Sequence, residues 1–355
     1  MVQPTRPAAN AFVFYTRKVY NAIGFGKGYN FVLFVIFFGA LMGFSLARIM
    51  YIDFNGVFCA EPEPAALPSE CYYFSRNPVA KYGIILHLAS ILPGSILACM
   101  QFVPVIRHKA VLVHRINGYI VILLSLAGTA GAFMILRHAA GGSVETQAGL
   151  GLMGIMFVVS LFLAYINIKR LQIEQHRAWM LRAWFYAGSI ITLRLIQIIS
   201  AHVVSAIGTF QAARSCDLLE YLVGDAERTL ELYPACGPYF SGQNINQYAV
   251  VDADIADPSS AAEAAVALEI SFGMAMWIAL ALHAAGVEIY LHLTPAEAER
   301  MRHHSYKRQL EAGMRHPGRA GITSDRFGDA VTWKPDEKEE IHVLVTREQS
   351  ATRSE

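Results

Sequence analysis

The sequence predicts an all-α fold: a polytopic transmembrane helix bundle of about six spans with a four-helix central unit. Three observations carry that prediction. Only 16% of the 355 residues are charged and 54% are hydrophobic, whereas an average soluble domain has about a quarter charged residues. The apolar residues gather into six runs, each long enough to cross a hydrocarbon core of about 30 Å. Lys and Arg are also distributed very unevenly among the segments that connect those runs.

The segment 1–29 is read as a cytoplasmic N-terminus, and 30–292 as the six-span membrane domain. The first span, Asn30 to Met50, has 21 residues, or about 31 Å at helical rise. It is too long for the apolar part of a cleavable signal and starts well inside the chain, so it reads as a signal anchor. The second span runs from Gly83 to Ile106 and holds Pro93-Gly94, where a kink is expected. The third covers Ile116 to Leu136, the fourth Ala148 to Ile168, the fifth Ala178 to Ser200 and the sixth Val266 to Leu291. Between the last two lies the acidic segment 202–265, in which DLLEYLVGDAERTLELY has helical spacing and suggests a small helical cap. After the sixth span, Thr294 and Pro295 suit a helix start. A short basic helix is therefore expected along the anionic inner leaflet, followed beyond His316 by a mostly disordered tail reaching 355.

Basic residues orient the bundle. Segments 1–30, 105–115, 169–177 and 293–355 hold 21 Lys and Arg, against 5 in 51–81, 137–146 and 202–265. With six spans, both termini fall on the cytoplasmic side of an endomembrane or the plasma membrane. The cysteines agree. Cys59, Cys71, Cys216 and Cys236 all lie in segments assigned to the outer side, and only Cys99 is inside a span. Two disulfides in an oxidising compartment are implied. Three connectivities exist, of which 59–71 and 216–236 close the shortest loops. A net charge of +1 gives no reason to expect a nucleic-acid partner. The partners expected are the lipid bilayer and a lipophilic small molecule.

Ionisable residues inside an apolar bundle mark candidate sites. The histidines sort into two layers. His87, His138 and His202 lie towards the outer face, and His114 and His176 start helices at the inner one, with His283 and His292 along the sixth span. A membrane electron carrier with b-type haem needs such layers, because each iron takes two imidazoles from facing helices. The bland alternative is that these are interfacial hydrogen-bonding groups. In His114-Arg115-Ile116-Asn117-Gly118-Tyr119, Gly118 shares a face with His114 and permits close approach. In His176-Arg177-Ala178-Trp179-Met180-Leu181-Arg182, His176, Trp179 and Met180 share a face. Arg194 lies about 9 Å inside the fifth span. It is expected either to bridge to Glu269 or to bind an anion or carbonyl below the outer segment. Glu288 is expected to pair with His292 or Arg182. No P-loop, dinucleotide fingerprint or zinc-protease motif is present, and no metal is assigned.

The stretches HLASILPGSILACMQFVPVIR (87–107), LVHRINGYIVIL (112–123) and EQHRAWMLRAWFYAGSIITLRL (174–195) resemble an uncharacterised family of predicted membrane proteins of bacteria and fungi, built on a four-helix domain of unknown function. The resemblance covers about 80–203. It carries over onto His87, Gly94, Gln101, His114, Arg115, Gly118, Tyr119, His176, Arg177, Trp179, Met180, Arg182 and Arg194, and it implies a fold without naming an activity. A weaker likeness to the cytochrome b561 group implies haem. Three functions are therefore expected in order. The first is a redox protein with b-type haem, held by His87 with His138 or His202 on one side and by His114 with His176 on the other. The second is a non-haem isomerase or cyclase for a lipophilic metabolite of a biosynthetic pathway, with His87 and Arg194 catalytic. The third is a transporter or assembly factor without chemistry.

Overall fold

The computed structural model describes residues 7–60, 64–256 and 260–335. Residues 257–259 of the acidic segment and the 336–355 part of the expected disordered tail lie outside the described residues. In chain order the helices are α1 (Ala11–Ile23), α2 (Gly28–Ala47), α3 (Pro68–Arg76), α4 (Pro78–Gln101), α5 (Pro104–Lys109), α6 (Val111–Ile135) and α7 (Val144–Lys169). They continue as α8 (Ile173–Ile207), α9 (Cys216–Val223), α10 (Ala226–Leu232), α11 (Gly237–Phe240), α12 (Ala261–His292), α13 (Pro295–Glu311) and α14 (Ser324–Phe327). Two strands, β1 (Gln211–Ser215) and β2 (Tyr248–Asp252), pair antiparallel with Ala213 opposite Val250.

Six of these helices, α2, α4, α6, α7, α8 and α12, are long and apolar enough to cross a membrane. The fold is thus an all-α polytopic bundle, as composition predicts. The boundaries moved where local chemistry overrides hydropathy. α4 starts earlier than expected because Asn77 caps it, accepting from the Val79 N–H at 3.0 Å, with Pro78 as first residue. It stops at Gln101, and Pro104 opens the separate short helix α5. α8 has 35 residues, about 52 Å at helical rise, and so outruns the hydrocarbon at one or both ends. α1 is an element that hydropathy did not single out. Asn10 caps its start and Gly24, left-handed at φ 99°, ends it.

The described residues form two compact units. One falls within 1–152 and 190–279, the other within 153–189 and 280–355. In the first, α4 and α6 pack backbone to backbone. A Cβ at Gly131 would stand 2.6 Å from both the Gly83 carbonyl oxygen and the His87 backbone nitrogen, so only glycine allows this approach. Gly149 plays the same part between α7 and α12, where a Cβ would meet Met276 at 2.9 Å.

Both disulfides join the predicted partners, Cys59 with Cys71 and Cys216 with Cys236. Each centres a small core. Around the first pack Phe54, Phe58, Phe74, Ile84 and Ile135. Around the second pack Ala201, Leu219, Tyr233, Val251 and Val266. The expected helical cap is present as α9 and α10, which lie in the chain between β1 and β2, a strand pair that the sequence pattern does not announce. Its alternation is real but short: Ala249 and Val251 turn inward, and their neighbours are exposed.

In the second unit the tail departs from expectation. Residues 317–335, read as disordered, are ordered against α13 and the α7–α8 turn. Gln172, fully buried, donates to the Gly318 carbonyl at 2.9 Å and accepts the Gly321 N–H at 2.8 Å. Gln309 donates to Gln172 and accepts the Gly318 N–H at 2.7 Å. Asn167 accepts the Ile322 N–H at 2.8 Å. Arg302 pairs with Asp325 at 2.7 Å, and the Trp333 N–H bonds the same carboxyl. Polar composition hid this segment, because its stability comes from a satisfied polar network and not from apolar surface. Thr294 likewise does not cap α13. Its hydroxyl donates back to the Tyr290 carbonyl at 2.9 Å.

Candidate functional site

In the first unit, α3, α8, α12, β1 and the α6–α7 connection bring charged side chains together. Glu269, only 3% exposed on α12, accepts hydrogen bonds from the Ser69 hydroxyl and from the Arg214 guanidinium. The expected Arg194–Glu269 bridge is therefore corrected: Arg214, whose neighbour but one is Cys216, takes the carboxylate instead. Arg194 donates to Gln197 at 3.0 Å, and Gln197 passes the bond on to the Leu268 carbonyl at 2.9 Å. The Arg194 guanidinium lies 5.3 Å from the Phe272 ring centre.

Beside them stands Glu70, which sequence reasoning did not name. Glu70 accepts the Ala140 N–H at 2.9 Å. That N–H is presented by a strained stretch in which Ala140, Gly141 and Gly142 all have positive φ, 46°, 79° and 65°. A non-glycine residue there costs on the order of 1 kcal/mol, held by its surroundings. Gly141 is required for a second reason, since a Cβ on it would lie 2.7 Å from Glu269 Oε2. The connection is thus shaped to two carboxyls, one at each of two successive residues. Glu70 as a residue is partly exposed, but burial of its carboxyl pushes its pKa up, against the lowering pull of Arg194 and the Ala140 N–H and with a further push from Glu269. The signal that could have revealed the missed residues is adjacency: Ser69 and Glu70 precede Cys71, and Arg214 precedes Cys216 by two.

The sequence-predicted histidines go to several places. His87 donates its Nδ1–H to the Gly128 carbonyl at 2.8 Å in the α4–α6 seam. His138 stacks on Tyr73 with ring centres 4.5 Å apart, beside the carboxyl cluster. His202 is exposed on α8, and His114 is half-buried in the first turn of α6. Next to Gly118 stands the Gln101 amide, 3.7 Å from where a Cβ on that glycine would sit. In the second unit His176 donates Nδ1–H to Ala164 at 3.0 Å and His283 to Phe185 at 2.7 Å. Arg182 grips Glu288 with two nitrogens at 2.6 and 2.8 Å and lies over Trp179, and Arg177 donates to the Tyr290 hydroxyl at 3.1 Å. A carbonyl can only accept, so His87, His176 and His283 each carry their proton on Nδ1 and keep Nε2 as an acceptor when neutral. Among the described residues no group of three or more His, Cys, Asp or Glu could hold a metal ion.

Six membrane-length helices, two disulfides and a charged cluster at the end of apolar helices define a multi-pass integral membrane protein. Residues 84–223 match a family described as predicted membrane protein (DUF2306), in agreement with the resemblance carried by the histidine motifs. The chain is also 24% identical over 317 residues to Ava biosynthesis cluster protein G of Aspergillus versicolor, covering 76% of this chain and 90% of that protein. No solved structure matches it.

Proposed function

We propose that the protein is a non-haem membrane enzyme, an isomerase or cyclase acting on a lipophilic metabolite of a biosynthetic pathway. Glu70 transfers the proton and Arg194 polarises a substrate oxygen. The observation that carries this reading is the Glu70 carboxyl, fixed by the Ala140 N–H within electrostatic reach of Arg194, at the end of an apolar bundle. Burial of the Glu70 carboxyl favours its protonated form, which can serve as a general acid, and its conjugate base as a general base. Glu70 thus takes the role for which the sequence named His87. The likeness to a protein of a fungal biosynthesis cluster supports a metabolite as substrate. The topology that accompanies the proposal has both termini cytoplasmic and the two disulfides on the opposite side, supported by the Lys and Arg distribution.

The test is metabolite analysis in a producing strain. Glu70→Gln and Arg194→Lys each lower product by about 10²-fold or more, with the upstream intermediate accumulating and the protein still present in the membrane fraction. Undiminished product in Glu70→Gln removes the proposal.

One observation favours a second reading. The Nδ1–H bonds of His87 and His176 to backbone carbonyls fix each ring as a histidine ligand's outer partner does, which suits b-type haem. A Soret band on purified protein would support it, and a colourless, iron-free preparation would end it.

A further inference from the structure

Arg194 lies well inside α8, a membrane-length helix, and its guanidinium is under-used. Among the described residues its hydrogen-bond partner is the neutral Gln197 amide. Glu70 acts on it through charge, without a hydrogen bond between them, and spends its own bond on Ala140. Glu269, the other carboxylate, is neutralised by Arg214. Glu70 is then the acid left to act on Arg194. With Glu70 ionised, its carboxylate offsets the Arg194 charge, to which Arg48 adds a further positive one. With Glu70 protonated, Arg194 is left with uncompensated positive charge. A guanidinium has five N–H donors in a planar fork matched to paired oxygens, and most of this fork is unspent. The Phe272 ring close to it gives the position an apolar floor.

We infer that Arg194 is the recognition point for an anionic oxygen pair, a carboxylate or acidic enolate, on an amphipathic ligand, and that Glu70 takes one proton from water when that group binds. This inference rests on the active-site reading of the same cluster and names its substrate class: an apolar molecule with an acidic head, not a neutral hydrocarbon or alcohol.

The coupling has a definite sign. Anion binding favours protonated Glu70, so affinity rises as pH falls through the range in which Glu70 titrates, by at most about tenfold per pH unit for one proton taken up. Other charged and titratable groups face the pair. Arg214 on β1 is paired with Glu269 on α12. Arg48 and Tyr51, next to α2, also act on Arg194. The Tyr73 hydroxyl on α3 is raised by burial. The His138 imidazole is held below its ordinary value by burial and by Arg137.

The experiment uses the full chain in nanodiscs of zwitterionic lipid, titrated with dodecyl sulfonate, whose charge does not vary with pH, and with dodecanol as its neutral counterpart. Saturable sulfonate binding is expected, at least about tenfold tighter than dodecanol and tightening as the pH is lowered. Arg194→Gln loses it by about tenfold or more and Arg194→Lys retains part of it, which separates charge from folding. Glu70→Gln binds tightly at every pH, its slope gone. Equal binding of the two probes, or an unchanged Arg194→Gln, overturns the inference and leaves Arg194 a structural partner of Glu70. Loss of product in Glu70→Gln without any sulfonate binding overturns only the acidic-head inference and leaves the catalytic reading standing.

Discussion

Glu70 and Asp325 are both acids outside the apolar helices, and their surroundings push them in opposite directions. Burial would raise Asp325, but bonds from Thr323, the Trp333 N–H and Arg302 outweigh it and hold the carboxyl at about 2. A depressed acid stabilises the fold above its unfolded pKa, and that contribution is lost as pH falls through the folded value. The docked tail is therefore expected to release between about pH 4 and pH 2, read as new pepsin cleavage within 317–335, and Asp325→Asn is expected to be cleaved at pH 4 already. Glu70 has the reverse sign: its raised pKa favours the protonated form, so its share of stability falls as pH rises. Glu269→Gln strands a guanidinium at a mostly buried position and is expected to cost about 3 kcal/mol, seen as a lower unfolding temperature in detergent. Arg194 was legible as a candidate because charge in an apolar run stands out. Its neighbours were not, because Glu70 meets Ala140 and Ser69 meets Glu269 across 70 and 200 residues of chain, and no local pattern encodes such distances.

Spans were readable element by element, since length and hydropathy are local properties, whereas the one N-cap expected, at Thr294, does not form. The β1–β2 strand pair and the ordered tail were not readable, because five-residue strands and polar networks leave little periodicity. Between elements, the glycines make separable predictions. Gly131→Val drives a side chain into the Gly83 carbonyl and the His87 backbone, atoms that cannot swing aside. A loss of about 3 kcal/mol, the upper range for overpacking, is expected, measured by thermal unfolding in detergent. Gly118→Ala meets only the far end of Gln101 at ordinary contact distance and is expected to leave the unfolding temperature nearly unchanged.

For the whole molecule, the proposed topology has an even number of spans, which puts both termini on one face, and the positive residues choose which. A small tag on the N-terminus and another after residue 335 are both expected to be digested by protease added to the cytosolic side of sealed vesicles, whereas a tag in the 241–246 turn is protected. Opposite accessibility of the two termini would require an odd number of spans.

The two cystines sit one residue from Glu70 and two from Arg214. Heterologous production has to respect this. Made in a reducing cytosol without thiol-oxidising enzymes, the chain can insert its apolar helices normally and still lack an assembled site. Correct membrane localisation in such a host is therefore no measure of competence, and secretory-pathway expression is the condition under which any assay should begin.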